Sequence, residues 1–77
     1  RRALRSNDHD KKIRDNTKAI ELTPNFAAAY NNRGWSYFVK RDYDRAIADY
    51  QKALQISPNR GSTKKNLALA IKRKNNQ

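Results

Sequence analysis

The chain has 77 residues and a mass of 9.0 kDa, which leaves room for one small domain and excludes a large buried core. It has no cysteine, so disulfides and thiolate metal sites are excluded; the compartment is left open, with a soluble cytoplasmic protein favoured. The longest apolar runs, Phe26–Tyr30 and Leu67–Ile71, are five residues long against the roughly 20 a spanning helix needs, and no secretory leader is visible.

Eighteen Lys and Arg against seven Asp and Glu give a net charge of +11, a statement about partners and solubility rather than fold. Residues 1–18 hold seven basic and three acidic side chains, residues 19–59 five and four, and residues 60–77 six and none. The middle is nearly balanced and both ends are positive.

In chain order, the first helical stretch is expected to end at Thr23, because the residue before a proline disfavours the helical region. Residues 27–40 carry Tyr30, Arg33, Gly34, Tyr37 and Phe38 at helical spacing, behind the helix formers Ala27–Ala29. Asn25 is the candidate N-cap. Arg41-Asp42 breaks the pattern, and Asp42 is placed to cap a further helix with Asp44 in its first turn. Its apolar stripe is Tyr43, Ala46, Ile47, Tyr50, Ala53 and Leu54, and it should stop at Ser57, before Pro58. A last helix is expected over about 62–74. Nothing alternates as a strand would.

Glycine inside a helix costs about 1 kcal/mol against alanine, so Gly34 implies a close approach by a paired helix. Tyr30, Tyr37 and Tyr50 are the bulky residues expected to fill the space around that crossing.

The chain also repeats itself. Pro24 and Pro58 are 34 residues apart in matching phrases, Leu22-Thr23-Pro24-Asn25 and Ile56-Ser57-Pro58-Asn59. Sliding residues 8–25 onto 42–59 gives eight identities in 18 positions, a period found in helical solenoids.

With that period in hand, Ala27 to Arg60 resembles a complete tetratricopeptide repeat. The family's spaced positions are matched by Tyr30, Gly34, Tyr37, Ala46, Tyr50, Ala53 and Pro58; Arg33 departs from it, standing where leucine is usual. The resemblance implies an all-α fold, an antiparallel helix-turn-helix solenoid fragment of about three full helices plus a short N-terminal helix. By its register, residues 1–26 form a partial first repeat, with 1–6 the tail of one helix and 8–22 the next. Residues 27–60 form the complete repeat, 61–74 a capping helix and 75–77 a tail. The chain does not begin with Met and reads as a piece of a longer array.

The first unit is degraded: Lys12 and Asn16 stand where the full repeat has Ala46 and Tyr50. Loose N-terminal packing is expected, and exposed repeat ends favour homodimerisation.

No enzyme motif survives inspection, and no cofactor is implied. His9 is the one histidine, without companion ligands. Asp42 and Asp44, and Asp8 and Asp10 one unit earlier, are explained by helix capping. Ser36 has no base near it in sequence, and Gly34 and Gly61 cannot build a phosphate loop.

Binding is the remaining reading. The resemblance implies a groove lined by the first helix of each repeat, which here places Asn31, Asn32, Trp35, Phe38 and Val39 in it, with Lys65 and Arg5 making it positive. The expected partner is a protein or peptide, with an acidic segment favoured electrostatically. Asn32 matches the central Asn of the clamp with which some members of the family hold a peptide's C-terminal carboxylate; the third-helix positions, Ser62 and Asn66, are not basic, so the full clamp is not expected. The competing reading is a nucleic-acid or anionic-surface binder using Arg1, Arg2, Arg5, Lys64, Lys65, Lys72, Arg73 and Lys74, against which only Trp35 and Phe38 offer stacking surface. A third is a structural piece of a longer solenoid without a ligand of its own.

Overall fold

The computed structural model describes the backbone of residues 2–76 and the side chains of residues 8–76. Four helices follow in order: α1 (Arg2–Leu22), α2 (Ala27–Val39), α3 (Tyr43–Ile56) and α4 (Gly61–Asn75), with no strand among the described residues.

Successive helices are antiparallel. Asp10 and Thr17 of α1 meet Lys40 and Arg33 along α2, and Phe38 and Arg33 of α2 meet Tyr43 and Asp49 of α3. Lys74 of α4 reaches Asp44 of α3 at 2.6 Å.

The stops expected at Pro24 and Pro58 are observed, and α3 starts as its cap requires: the Arg45 amide donates to the Asp42 carboxylate at 3.3 Å. Between α2 and α3, Arg41 turns the chain at φ 67°. Its amide donates to the Phe38 carbonyl and that of Asp42 to the Tyr37 carbonyl, both at 2.9 Å, the bonding of a Schellman cap.

Two local expectations are corrected. Asn25 is not the cap of α2; that position falls to Phe26, which makes no side-chain capping bond, because Asn25 is drawn into the turn closed by the Phe26 amide donating to the Thr23 carbonyl. The short N-terminal helix and the helix over 8–22 are one continuous helix of 21 residues. Residues 2–22 hold neither glycine nor proline, and an elongating helix gains a backbone bond with each added residue.

The core lies between α2, α3 and α4. Ala46, Tyr50 and Ala70 are fully buried, with Tyr37, Phe38, Ile47 and Leu67 packed against them. The close approach implied by Gly34 is real: a β-carbon there would stand 2.8 Å from Tyr50 Cε1 and 3.3 Å from the Ala46 carbonyl oxygen. The first unit packs more loosely, since no side chain from Asp8 to Leu22 is fully buried.

Arg33, which departs from the repeat pattern, joins three helices. Its Nε and Nη2 donate to the two carboxylate oxygens of Asp49 at 2.8 Å each, and Nη1 donates to the Thr17 hydroxyl at 3.1 Å. The guanidinium also lies 5.5 Å from the Tyr30 ring centre. The hydrogen bonds to Asp49 raise the Arg33 pKa against the opposing effect of burial.

Candidate functional site

An open cleft of about 390 Å³ is lined by α2 together with residues of α1 and α4 on either side of it. From α2 come Asn31, Asn32, Trp35 and Ser36, on one flank of the helix while Gly34 faces α3. Lys12 and Asn16 of α1 form the opposite wall, and Asn66 of α4 closes one end.

Each wall has a local cause. Lys12 and Asn16 occupy positions that in the next unit carry the buried Ala46 and Tyr50. Because α1 runs on without reversing, none of the described residues folds back over them, and they border open space. Asn16 donates to the Lys12 carbonyl at 2.9 Å, which holds its side chain along α1.

On α2, Trp35 keeps 44% of its surface exposed. It stacks on Phe38 at 5.3 Å between ring centres, Phe38 meets Tyr43 edge-on at 5.5 Å, and the Arg73 guanidinium lies 5.7 Å from the Phe38 ring. The indole is an exposed aromatic face braced from behind. Such preorganised aromatic surface suits a binding anchor, because little side-chain freedom is lost on contact.

Asn31 is half-buried and bonded into the fold. Its carboxamide oxygen accepts from the fully buried Thr63 hydroxyl at 2.9 Å and from Asn66 Nδ2 at 3.5 Å, tying α2 to α4. Asn32 beside it is exposed. Among the described residues, Lys12 is the one formal charge on the cleft's lining, and no carboxylate lines it.

Of the residues singled out from sequence, the cleft brings together Asn31, Asn32 and Trp35. Phe38 supports Trp35 from below rather than lining the cleft. Val39 is 42% exposed at the end of α2, outside the lining. Lys65 is exposed on α4, also outside it, and the Arg5 side chain lies outside the described residues. Sequence reasoning did not assign Lys12, Asn16 or Ser36 to the site, and named Asn66 only as a non-basic residue at a clamp position. For Lys12 and Asn16 the signal was present, as polar residues at two packing positions of the repeat.

Among the described residues no group of three or more His, Asp or Glu could hold a metal ion, and no helix is long and apolar enough to cross a membrane. His9 is half-buried on α1.

Residues 27–60 match the tetratricopeptide repeat family, over the helical pair α2–α3 and the turn that follows. The chain carries a tetratricopeptide repeat. No curated protein matches it. Tetratricopeptide repeats generally mediate protein–protein interactions and are not themselves enzymes, so proteins are the class of partner this repeat implies.

Proposed function

We propose that the chain is a protein-interaction module whose cleft takes an acidic peptide segment of its partner. The observation that carries this reading is the lining itself: Trp35 as a braced apolar anchor, the carboxamides of Asn31, Asn32 and Asn66, and the ammonium of Lys12 with no competing carboxylate among the described residues. Carboxamides both donate and accept, which suits the amides and carbonyls of an extended peptide. Lys12 and the net charge of +11 favour an occupant of opposite sign, acting mainly on approach rate and specificity. Phe38 acts through Trp35, and Val39 extends the apolar edge of the same helix.

Trp35 fluorescence, followed during titration with an acidic peptide bearing a free C-terminal carboxylate, tests the proposal. A saturable shift that survives about 200 mM salt, and is lost in Asn32→Ala and Lys12→Ala, supports it. A response confined to single-stranded DNA, falling by orders of magnitude between about 50 and 200 mM salt, overturns it in favour of the basic ends.

A further inference from the structure

Arg33 does not line the cleft, yet it holds the helix that forms one of the cleft's walls. Its fork on the buried Asp49 uses Nε and Nη2, which leaves Nη1 to reach α1. A guanidinium is planar with its donors in fixed directions, so seating two of them aims the third. Nη1 donates to the Thr17 hydroxyl oxygen at 3.1 Å. That oxygen is oriented in turn, because the Thr17 hydroxyl proton goes to the Ile13 carbonyl at 2.7 Å. The rings of Tyr30 and Tyr37, centred 5.5 and 6.0 Å from the guanidinium carbon, pack on the same group.

The residues of one helix turn together. Asp10 and Thr17, seven apart, point within about 20° of each other around α1, and Lys12 and Asn16, four apart, within about 40°. The first two bond to α2, the second two border the cleft, and the half-buried Ile13 and Ile20 lie between them. A bond on one flank of this contact therefore sets where the other flank points.

Two polar ties join α1 to α2 among the described residues. Lys40 pairs with Asp10 at the surface, where both side chains keep more than a third of their area in solvent; such a pair contributes little and is screened by salt. The Arg33 tie is more enclosed, with 19% of the arginine side chain exposed. Ile13 and Ile20 add apolar contact, which has no direction of its own.

We propose that Arg33 is a positioning residue for the cleft. Through Thr17 it sets the rotation of α1 and so aims Lys12 and Asn16 at the occupant, which makes selectivity for an acidic segment depend on a side chain that never touches it. The inference rests on the reading of the cleft as an acidic-peptide site. It also gives the departure from the repeat pattern a use, since a leucine at position 33 fills space but ties α1 to nothing.

Thr17→Val isolates the tie: it removes the acceptor, nearly keeps the shape and leaves the fork between Arg33 and Asp49 whole. The probes are a glutamate-rich peptide and the same peptide with glutamine for each glutamate, both with blocked ends. Binding is followed by Trp35 fluorescence at about 200 mM salt, where the exposed Lys40–Asp10 pair is screened. Thr17→Val should weaken the acidic peptide by about three- to tenfold and leave the neutral one within about twofold of the parent. Thr17→Ser, which keeps the hydroxyl, should restore the preference. Arg33→Lys keeps a charge beside Asp49 but not the fork, and should lose selectivity as Thr17→Val does. Added to Lys12→Ala, Thr17→Val should cost nothing further, because the charge it aims is gone; added to Asn32→Ala, it should cost its full amount. Equal weakening of both peptides, no weakening, or full additivity with Lys12→Ala would show that Arg33 serves stability alone and overturn the proposal.

A second readout needs no peptide. The chain has no cysteine, so Arg14→Cys on α1 with Gln51→Cys on α3 places spin labels at two exposed positions. The distance distribution between them should be narrow in the parent background and with Thr17→Ser, and displaced or broadened with Thr17→Val. An unchanged distribution overturns the proposal. A parent that does not prefer the acidic peptide would end the acidic-peptide reading of the cleft by itself, and the label distances would still decide whether Arg33 holds α1.

Discussion

The guanidinium of Arg33 and the carboxylate of Asp49 meet fork to fork, two nitrogens on two oxygens at 2.8 Å each, across sixteen residues of sequence. Asp49 is 5% exposed and Arg33 only partly exposed, so neither charge is well hydrated without the other. Removing one partner of such a pair costs about 3 kcal/mol, whereas replacing both with apolar groups is often neutral. Arg33→Leu, which restores the residue usual in the family, is therefore expected to lower the urea midpoint sharply. Arg33→Leu with Asp49→Leu should recover more than half of the loss. A double variant as unstable as the single one would show that the pair is not the source.

Gly34 and Tyr50 occupy the same crossing. A β-carbon at 2.8 Å from a fully buried ring cannot be absorbed without moving α2 from α3. Gly34→Ala gains about 1 kcal/mol of helix propensity but should lose more through overpacking, which costs about 1–3 kcal/mol. Equilibrium denaturation should show net destabilisation; a gain would mean that the helices yield at this point.

Arg41 holds a left-handed conformation that side chains with a β-carbon adopt at a cost of about 1 kcal/mol. The Schellman bonding around it is complete with any residue that tolerates the angle. Arg41→Gly should raise stability by up to about 1 kcal/mol, and Arg41→Val should lower it. Thermal melts of the two variants against the parent check the order.

Burial pushes the Tyr50 phenol up to about 12, and the neighbouring Asp49 charge adds in the same direction. The folded value lies above the unfolded one near 10, so the unfolded chain releases this proton first. The stability linked to Tyr50 is present below about pH 10 and is lost as pH rises toward about 12. The Tyr50 hydroxyl has no hydrogen-bond partner among the described residues, so Tyr50→Phe removes the titration without breaking a bond. Stability of the variant measured from pH 8 to 11.5 should fall less steeply than that of the parent.

Thr63 is fully buried and donates its hydroxyl proton to Asn31. Thr63→Val keeps the shape and deletes the donor, at an expected cost of about 1 kcal/mol in urea denaturation. Thr63→Ser should retain most of the parent stability. The same Val substitution should also weaken peptide binding in the cleft, because the Asn31 carboxamide would keep only the longer contact with Asn66.

The amino-acid sequence by itself determined where α2 and α3 end and turn, and that Gly34 faces a bulky residue. Those features rest on interactions within one turn of backbone: a proline that forbids the preceding helical residue, an aspartate that caps three residues on, a repeat that sets like positions 34 apart. Arg33 and Asp49 show the limit of such reading. Arg33 stood out only as a departure, and Asp49 not at all, because their pairing depends on how two helices lie across each other. Asn31 was read as groove surface, yet the approach of α4 turns its oxygen to Thr63. Lys12 and Asn16 were recognisable as misfits at packing positions, but only the straight course of α1 decided that they would border a cleft. Contacts between helices are set by distances in space, which spacing along one helix does not encode.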